Sequence, residues 1–370
     1  MKYVDEFRDE GAARAIAGKI RQLGESLQSR MQKICIMEVC GTHTVAIERC
    51  GIRRMMPKNV RLISGPGCPV CVTHAGYMDA ATELAMKGVI VVTFGDMINV
   101  PGTRTKLSEC RAAGARVEIC YSPETALEIA QEYPSKEIVF LAVGFETTTA
   151  PIITLIETAL RKKIVNMSLL TSFKRIPPAM IALLEDPEIK VNGFLCPAHV
   201  SAIIGADAYR PIVSEKKIPC VVAGFEPLDI LLGISGILEQ LNKGRAEVEN
   251  QYSRVVRNQG NMKALDIMSK YLEVYDAPWR GLGVIPRSGS RIKDEFEKFD
   301  AQKRFGLEIK EDKSDGACRC GEVLKGKIRP DECPLFAVAC NPLEPQGPCM
   351  VSSEGTCAAL YKYGDGINED

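Results

Sequence analysis

The chain has 370 residues, 46% of them hydrophobic, with 47 basic and 47 acidic residues and therefore no net charge. A chain of this length can bury the cores of two or three domains. Because the charges balance and the basic residues are spread along the sequence, the composition argues against binding to nucleic acid or to an anionic membrane surface.

The first twenty residues are charged and lack the apolar segment of a signal peptide. Ile16, Ile20, Leu23 and Leu27 recur at helical spacing, which predicts an amphipathic helix. No stretch approaches the roughly 18 uninterrupted apolar residues of a membrane-spanning helix. The sequence therefore predicts a soluble, cytoplasmic protein.

From residue 33 to about 240, short β-branched runs alternate with longer helix-like stretches. Such alternation of nearly continuous apolar strands with helices is typical of parallel sheet in an α/β fold. The predicted strands are residues 33–39, 60–64, 88–94, 115–121, 137–143, 164–170, 191–196 and 218–223.

Short phrases that place Gly and an acid just after a strand recur in both parts of this region. They suggest two similar parallel-sheet α/β domains, residues 1–125 and 126–244. A single eight-stranded barrel is the competing fold, but the uneven helix lengths disfavour it. After residue 245 the alternation fades, and the Cys-, Pro- and Gly-rich text predicts a loop-rich iron–sulfur domain over 245–370. The recurring phrases are TFGDM (93–97), VGFETT (143–148) and AGFEPLD (223–229).

The sequence contains fifteen cysteines, and stable disulfides are rare in cytosolic proteins. Cys35, Cys120 and Cys220 fall in predicted strands, where a cysteine usually serves as a small buried hydrophobic residue. Cys50 and Cys110 lack a motif. The other ten cysteines form two groups, one within predicted strand–helix loops and one in the tail.

The three histidines of the chain each stand three residues after a cysteine. Each of these Cys-x-x-His segments follows a predicted strand, and ligands of open α/β sheets bind beyond the carboxyl ends of the strands. The pattern therefore predicts one site built from several loops. The segments are Cys40–His43, Cys71–His74 and Cys196–His199.

Cys68 and Cys71 form the one Cys-x-x-Cys motif of the chain. This spacing suits two metal–thiolate bonds or a reversible disulfide, and a helix that starts after the turn would lower the pKa of the thiols. Half of a structural zinc site is the alternative, although it would need distant partners.

Other candidate residues have equally ordinary explanations. His74 could be a polar residue satisfied in the core, as many buried histidines are. Glu146 and Glu226, each in a Gly-Phe-Glu sequence after a strand, could be hydrogen-bond partners or proton acceptors. Either could also be a solvated acid favoured by a helix dipole.

Six cysteines lie within 40 residues of the tail, which argues for a metal rather than for packing. A [4Fe–4S] cluster tolerates wide ligand spacing and needs four thiolates. Zinc is the alternative, because thiolate sites serve both metals. The six are Cys318, Cys320, Cys333, Cys340, Cys349 and Cys357.

Five segments together resemble the HypD family of [NiFe]-hydrogenase maturation factors, and the resemblance runs from about residue 33 to 363. It implies a scaffold on which the Fe(CN)2CO unit of the hydrogenase is built. It also implies work in complex with the chaperone HypC, cyanide supplied by HypE, and delivery that indirectly reaches the hydrogenase large-subunit precursor. The segments are CGTHT (40–44), GPGCPVC (65–71), GFETT (144–148), CPAHVSAIIG (196–205) and GFEPLD (224–229).

The resemblance also implies residue roles. Cys40 would hold the iron that carries CN and CO, while Cys68 and Cys71 would be a redox-active pair that could also ligate iron. His43, His199 and Glu146 complete the candidate catalytic set. The [4Fe–4S] ligands would be four of the six tail cysteines, with Cys318 and Cys349 as surplus; the four are Cys320, Cys333, Cys340 and Cys357.

Two other functions compete with this scaffold and electron-supply role. One is a thiol–disulfide oxidoreductase that uses Cys68 and Cys71 and carries a structural zinc in the tail. The other is an interaction module whose tail is held together by a structural zinc, which leaves the thiols at the strand ends without a role. No Walker-type phosphate-binding motif occurs, so the sequence gives no support for an ATPase.

Overall fold

A computed structural model describes residues 5–309 and 317–364. The strands are β1 (Ile34–Glu38), β2 (Val60–Ser64), β3 (Ile90–Phe94), β4 (Val117–Cys120), β5 (Ile138–Gly144), β6 (Met167–Lys174), β7 (Gly193–Pro197), β8 (Cys220–Ala223), β9 (Val248–Asn250), β10 (Leu272–Trp279) and β11 (Gly283–Ile292). The helices of the first two hundred residues are α1 (Glu10–Leu27), α2 (Gly41–Arg49), α3 (Ile52–Met55), α4 (Ala75–Met86), α5 (Leu107–Ala112), α6 (Thr125–Glu132), α7 (Glu146–Lys162), α8 (Ile176–Glu185) and α9 (Ala198–Ile204). The later helices are α10 (Pro227–Asn242), α11 (Met262–Tyr271), α12 (Ala301–Arg304), α13 (Cys320–Leu324), α14 (Pro348–Val351) and α15 (Thr356–Tyr363).

The first sheet is parallel throughout and has the strand order β2-β1-β7-β8-β9. Every residue of β1, β7 and β8 is buried, as expected for strands that helices cover on both faces. Because β1 pairs with both β2 and β7, the loops that follow these three strands lie side by side. The three Cys-x-x-His segments lie at these strand ends and in the loops and helix starts that follow them.

The second sheet has the strand order β10-β11-β6-β5-β3-β4. Strands β3 to β6 are parallel, whereas β10 and β11 form an antiparallel hairpin added to the β6 edge. The chain thus leaves the first sheet after β2, builds four strands of the second, and returns with β7.

The tail is packed into a core that it shares with the first sheet. Met37 and Ile63 of β1 and β2 lie in the same apolar cluster as Trp279 of the hairpin and Cys340 and Cys349 of the tail. On the opposite face of the first sheet, α1 and α10 pack against β1, β2 and β8. The tail cysteines are therefore held against the edge of the sheet where β1 and β2 end.

The fold class predicted from the sequence is confirmed: the protein is α/β, with two open sheets that contain parallel strands and a cysteine-rich, loop-rich tail. All eight predicted strands are present, as is the helix predicted from Ile16, Ile20, Leu23 and Leu27. The barrel alternative is wrong, since neither sheet closes. The boundaries near residues 125 and 244 stay predictions. Both sheets take strands from each side of residue 125.

Cys35, Cys120 and Cys220 are all buried in apolar clusters, as predicted. Among the residues searched, those that the structure describes, no helix combines the length and apolar character needed to cross a bilayer.

Candidate functional site

Cys40 lies at the junction of β1 and α2 and is the N-cap residue of that helix. Its backbone N–H donates to Glu38 Oε2 at 2.9 Å, and the next N–H, of Gly41, donates to the carbonyl of Gly67 at 2.9 Å. A Cβ on Gly67 would stand 2.1 Å from the Cys40 nitrogen. Gly67 is therefore needed for the close approach of the loops after β1 and β2, and this approach fixes the Cys40 thiol.

His199 brings an imidazole to the Cys40 thiol from the neighbouring strand. It lies in α9, just after β7, and its Nε2 and Nδ1 are 3.8 and 3.9 Å from Cys40 Sγ. Burial lowers the pKa of His199 to about 4, so the ring is neutral at pH 7 and has a lone pair for a metal. Burial raises the pKa of the Cys40 thiol, which favours the protonated form until a cation binds.

His43 and His199 both contact the ring of Phe225. The Phe225 ring lies 4.9 Å from the His43 ring and 5.1 Å from the His199 ring, centroid to centroid. His43 Nε2 donates to the carbonyl of Gly224 at 2.8 Å, so in the neutral ring the lone pair is on Nδ1. That Nδ1 is buried and has no hydrogen-bond partner among the described residues. Burial lowers the pKa of His43 to about 4.

Glu38, at the end of β1, is a site residue that the sequence analysis missed. It is buried, and its Oε1 accepts a hydrogen bond from Thr44 Oγ1 at 2.5 Å, in addition to the bond from the Cys40 N–H. Burial raises its pKa to about 7. The available signal was an acid inside the apolar run KICIMEV, because a charged residue in a buried strand requires specific partners.

Cys68 and Cys71 occupy a turn after β2, and both are free and buried. The Cys71 N–H points to Cys68 Sγ at 3.3 Å, and the Cys68 thiol donates to Ser352 Oγ at 3.3 Å. Ser352 in turn donates to Asp96 Oδ2 at 3.1 Å. The expectation that the following helix lowers the thiol pKa is wrong for Cys71: burial raises its pKa well above the usual value.

Cys349 joins the two cysteine groups. Its thiol is a hydrogen-bond neighbour of Cys71 on one side and of Cys320 and Cys357 on the other. Cys318 adjoins Cys320, and Cys340 Sγ accepts from the Gln346 N–H at 3.4 Å. The dithiol and the tail thiols are thus continuous in space, which their separation of about 250 residues along the chain did not reveal.

The remaining candidates lie elsewhere. His74 is the buried N-cap residue of α4. Glu226 is the N-cap residue of α10, and Arg8 donates to both of its carboxylate oxygens, at 2.5 and 2.8 Å. Glu146 starts α7 and lines a separate cavity. No contact links Glu146 or Glu226 to the Cys40 thiol among the described residues.

The donors at Cys40 do not form a closed metal cage. Among the described residues, no group of three or more His, Cys, Asp or Glu side chains converges to hold a metal ion. Cys40 with His199 offers a thiol and an imidazole, a donor pair suited to iron, but most coordination positions would have to be filled by other ligands.

The chain is similar to proteins of a known family over nearly its whole length. The HypD profile, described as "Hydrogenase formation hypA family", matches residues 12–364. The chain belongs to the HypD family. It is 48% identical to the hydrogenase maturation factor HypD of Azotobacter vinelandii over 98% of this chain and 97% of that protein. It is 42% identical to the hydrogenase maturation factor HypD of Escherichia coli K12, over 98% of each chain.

A third relative, the hydrogenase maturation factor HypD of Cupriavidus necator, is 44% identical over 98% of this chain and 97% of its own. Full-length similarity at this level covers both sheets and the tail. The resemblance inferred from five short segments is therefore confirmed for the whole described chain, and the protein is a hydrogenase maturation factor of this family.

Proposed function

We propose that the protein is the scaffold on which, together with a HypC chaperone, the Fe(CN)2CO unit of [NiFe] hydrogenase is assembled. The observation that carries this proposal is the Cys40 thiol 3.8 Å from the His199 ring at the end of buried parallel strands. Iron with cyanide and CO is the cargo. It favours soft donors and a site that excludes water.

Cys40 would hold the cargo iron as a thiolate. Binding of the iron releases the thiol proton, and the neutral ring of His199, 3.8 Å from the thiol, offers the iron a second donor. His43 and Glu38 hold the loop: one fixes α2 to the end of β8 through Gly224, and the other binds the Cys40 N–H. The two cyanides would come from HypE, and the finished unit would pass on toward the hydrogenase large-subunit precursor.

A groove of about 610 Å³ opens beside the start of α2 and supports the docking of a partner there. It is lined by Thr42 on one side and by Asp96, Ser352 and Glu354 on the other. Thr42 Oγ1 donates to Glu354 Oε1 at 2.6 Å, so the tail forms one wall beside the Cys40 loop. A HypC chaperone at this groove would lie beside the Cys40 loop.

We further propose that Cys320, Cys333, Cys340 and Cys357 hold a [4Fe–4S] cluster. The donor type fits, because these are four thiols in or against one apolar core and such clusters use four thiolates shielded from water, although no three of them, all within the described part of the chain, converge on a single metal ion. When bound, the cluster would supply electrons at low potential. Cys68 and Cys71 form the adjacent dithiol, and all fifteen cysteines are free, as a reducing cytoplasm requires.

Complementation tests the proposed role. A strain that lacks its own HypD should regain [NiFe]-hydrogenase activity when it carries this chain, and Cys40→Ala should abolish the gain. Cys110→Ala is the matched control, since Cys110 is equally buried but contacts none of the site residues named above. Full activity of Cys40→Ala would refute the assignment of Cys40 as the iron-holding residue.

A further inference from the structure

A second cavity lies away from the cysteines, where the carboxyl ends of β5 and β6 meet α8 and the β10–β11 hairpin. Its volume is about 600 Å³, within the usual range for small-molecule sites. Its walls are mainly apolar and include Pro178, Ile181, Leu265, Leu272 and Ile285. Among the ionisable residues that line it, Glu146 and Lys174 are the buried ones.

One carboxylate oxygen of Glu146 has a hydrogen-bond partner among the described residues and the other has none. Its Oε1 accepts from the Ile176 N–H at 3.1 Å, at the start of α8, but its Oε2 is buried with no partner among the described residues. The side chain is 5% exposed, so water does not replace the missing donor. An unpaired buried carboxylate oxygen is costly unless a ligand supplies a hydrogen-bond donor.

Lys174, the last residue of β6, is a buried base. It is 2% exposed, and no hydrogen bond or ion pair of its ammonium group is found within 5–309 or 317–364. Burial alone accounts for a pKa lowered to about 7. A buried lysine is rarely left without an anion, so this side chain is prepared for an acidic group that the chain itself does not provide.

The other acids of the cavity already have partners. Glu185 pairs with Lys216 at 3.4 Å, and Glu273 pairs with Arg291 at 2.7 Å. Arg175 Nη1 donates to the carbonyl of Arg287 at 3.0 Å. The unmatched buried groups are therefore one acid and one base, in an apolar chamber.

We propose that this cavity binds a small zwitterion with an apolar body, dipeptide-like in size, whose carboxylate meets Lys174 and whose ammonium group meets Glu146. Glu146 accepts from the Ile176 N–H, two residues after Lys174, so both groups reach the cavity beside the same segment of chain. The site is independent of the cargo proposed for Cys40.

Calorimetric titration of the full chain with leucyl-leucine tests the proposal. We expect saturable binding of the free dipeptide. N-acetyl-leucyl-leucine lacks the ammonium group and leucyl-leucine amide lacks the carboxylate, so each should bind at least tenfold more weakly. Free leucine, which fills less of the apolar cavity, should also bind at least tenfold more weakly. Equal binding of the blocked peptides, or no binding of leucyl-leucine, would overturn the proposal.

Two variants assign the ends of the ligand. Lys174→Met should lose at least tenfold in affinity for leucyl-leucine and keep the weak binding of the amide. Glu146→Gln should lose the preference for the free ammonium group over the acetylated peptide. Lys136→Met, at an exposed lysine outside the cavity, is the control and should bind like wild type.

A stability measurement separates binding from folding. Without ligand, Lys174→Met should be at least as stable as wild type, because it removes an unpaired buried amine. A Lys174→Met protein that is less stable and also binds no peptide would show a structural role for the lysine and would contradict its assignment to a ligand.

Discussion

The thiol of Cys68 donates a hydrogen bond to the hydroxyl of Ser352, at 3.3 Å and across 284 residues of sequence. Ser352 is buried, and its hydroxyl in turn donates to Asp96 Oδ2 at 3.1 Å. The tail thus closes directly over the Cys-x-x-Cys turn. It forms one wall of the site, in addition to carrying cysteines of its own.

Replacing Ser352 with alanine should therefore loosen the tail at the dithiol. We expect a loss of about 1 kcal/mol in the free energy of unfolding, as for one buried hydrogen bond, measured in urea. Cys68 should also be alkylated faster. Ser353→Ala is the control, because Ser353 also bonds Asp96 but is exposed and touches no thiol. Equal effects of the two substitutions would contradict this account.

Gly67→Ala should disrupt the Cys40 loop. Its Cβ would lie 2.1 Å from the Cys40 nitrogen, and backbone cannot move aside as a flexible side chain can. We expect a loss of about 1–3 kcal/mol in unfolding free energy, together with loss of bound iron.

Gly18→Ala is the matched substitution, since nothing lies within 4 Å of its added Cβ in α1. It should stabilise the chain by about 0.5–1 kcal/mol, because alanine favours helix over glycine. A Gly67→Ala protein as stable as wild type would show that the loops after β1 and β2 are not tightly apposed.

The two ionisable groups of the second cavity predict opposite pH dependences. Burial lowers the pKa of Lys174 from 10.5 to about 7, so between those values the unfolded chain binds the proton more tightly. The free energy of unfolding should therefore rise with pH across that window, by up to about 1.4 kcal/mol per pH unit. The Lys174→Met variant should lack this rise.

For Glu146 the sign is reversed. Burial raises its pKa from 4.5 to about 7, so the folded chain holds the proton more tightly between those values and the unfolding free energy falls as pH rises. Glu146→Gln should lack this fall. The measurement is the difference between wild type and each variant in urea from pH 5 to 10. A difference that does not change with pH would contradict the burial of that group.

Single substitutions of the tail cysteines test the choice of four ligands among six. After anaerobic purification, alanine at Cys320, Cys333, Cys340 or Cys357 should lower bound iron and sulfide by more than half, because each would remove one of four thiolates. Cys318→Ala and Cys349→Ala should keep both. Loss of iron and sulfide in Cys349→Ala would instead make Cys349 a ligand, and retention of zinc alone in wild type would favour the oxidoreductase alternative.

The sequence predicted the local elements well and the long-range pairing poorly. The eight strands from residue 33 to 223 were identified because buried parallel strands are nearly continuous apolar runs. The β10–β11 hairpin was missed. Seven of its eighteen strand residues are exposed, and Arg287 adopts a positive φ of 54° within β11.

In the candidate site too, local spacing was predictive and long-range packing was not. The Cys-x-x-His spacing identified Cys40 and His199, because parallel strands align their carboxyl ends. Contacts such as Cys68 with Ser352, or Cys71 with Cys349, depend on how the tail folds back onto the first sheet. No local pattern encodes that packing. Glu38 was overlooked because its partners, the Cys40 N–H and the Thr44 hydroxyl, are defined only once α2 has formed.

Infrared spectroscopy tests the scaffold proposal most directly. The chain should be co-produced with its HypC partner under anaerobic conditions and purified as the complex. We expect bands of metal-bound cyanide and CO in wild type and in Cys110→Ala, and none in Cys40→Ala with the complex still intact. Bands of undiminished intensity in Cys40→Ala, or their absence from the wild-type complex, would contradict the assembly of the iron unit at Cys40.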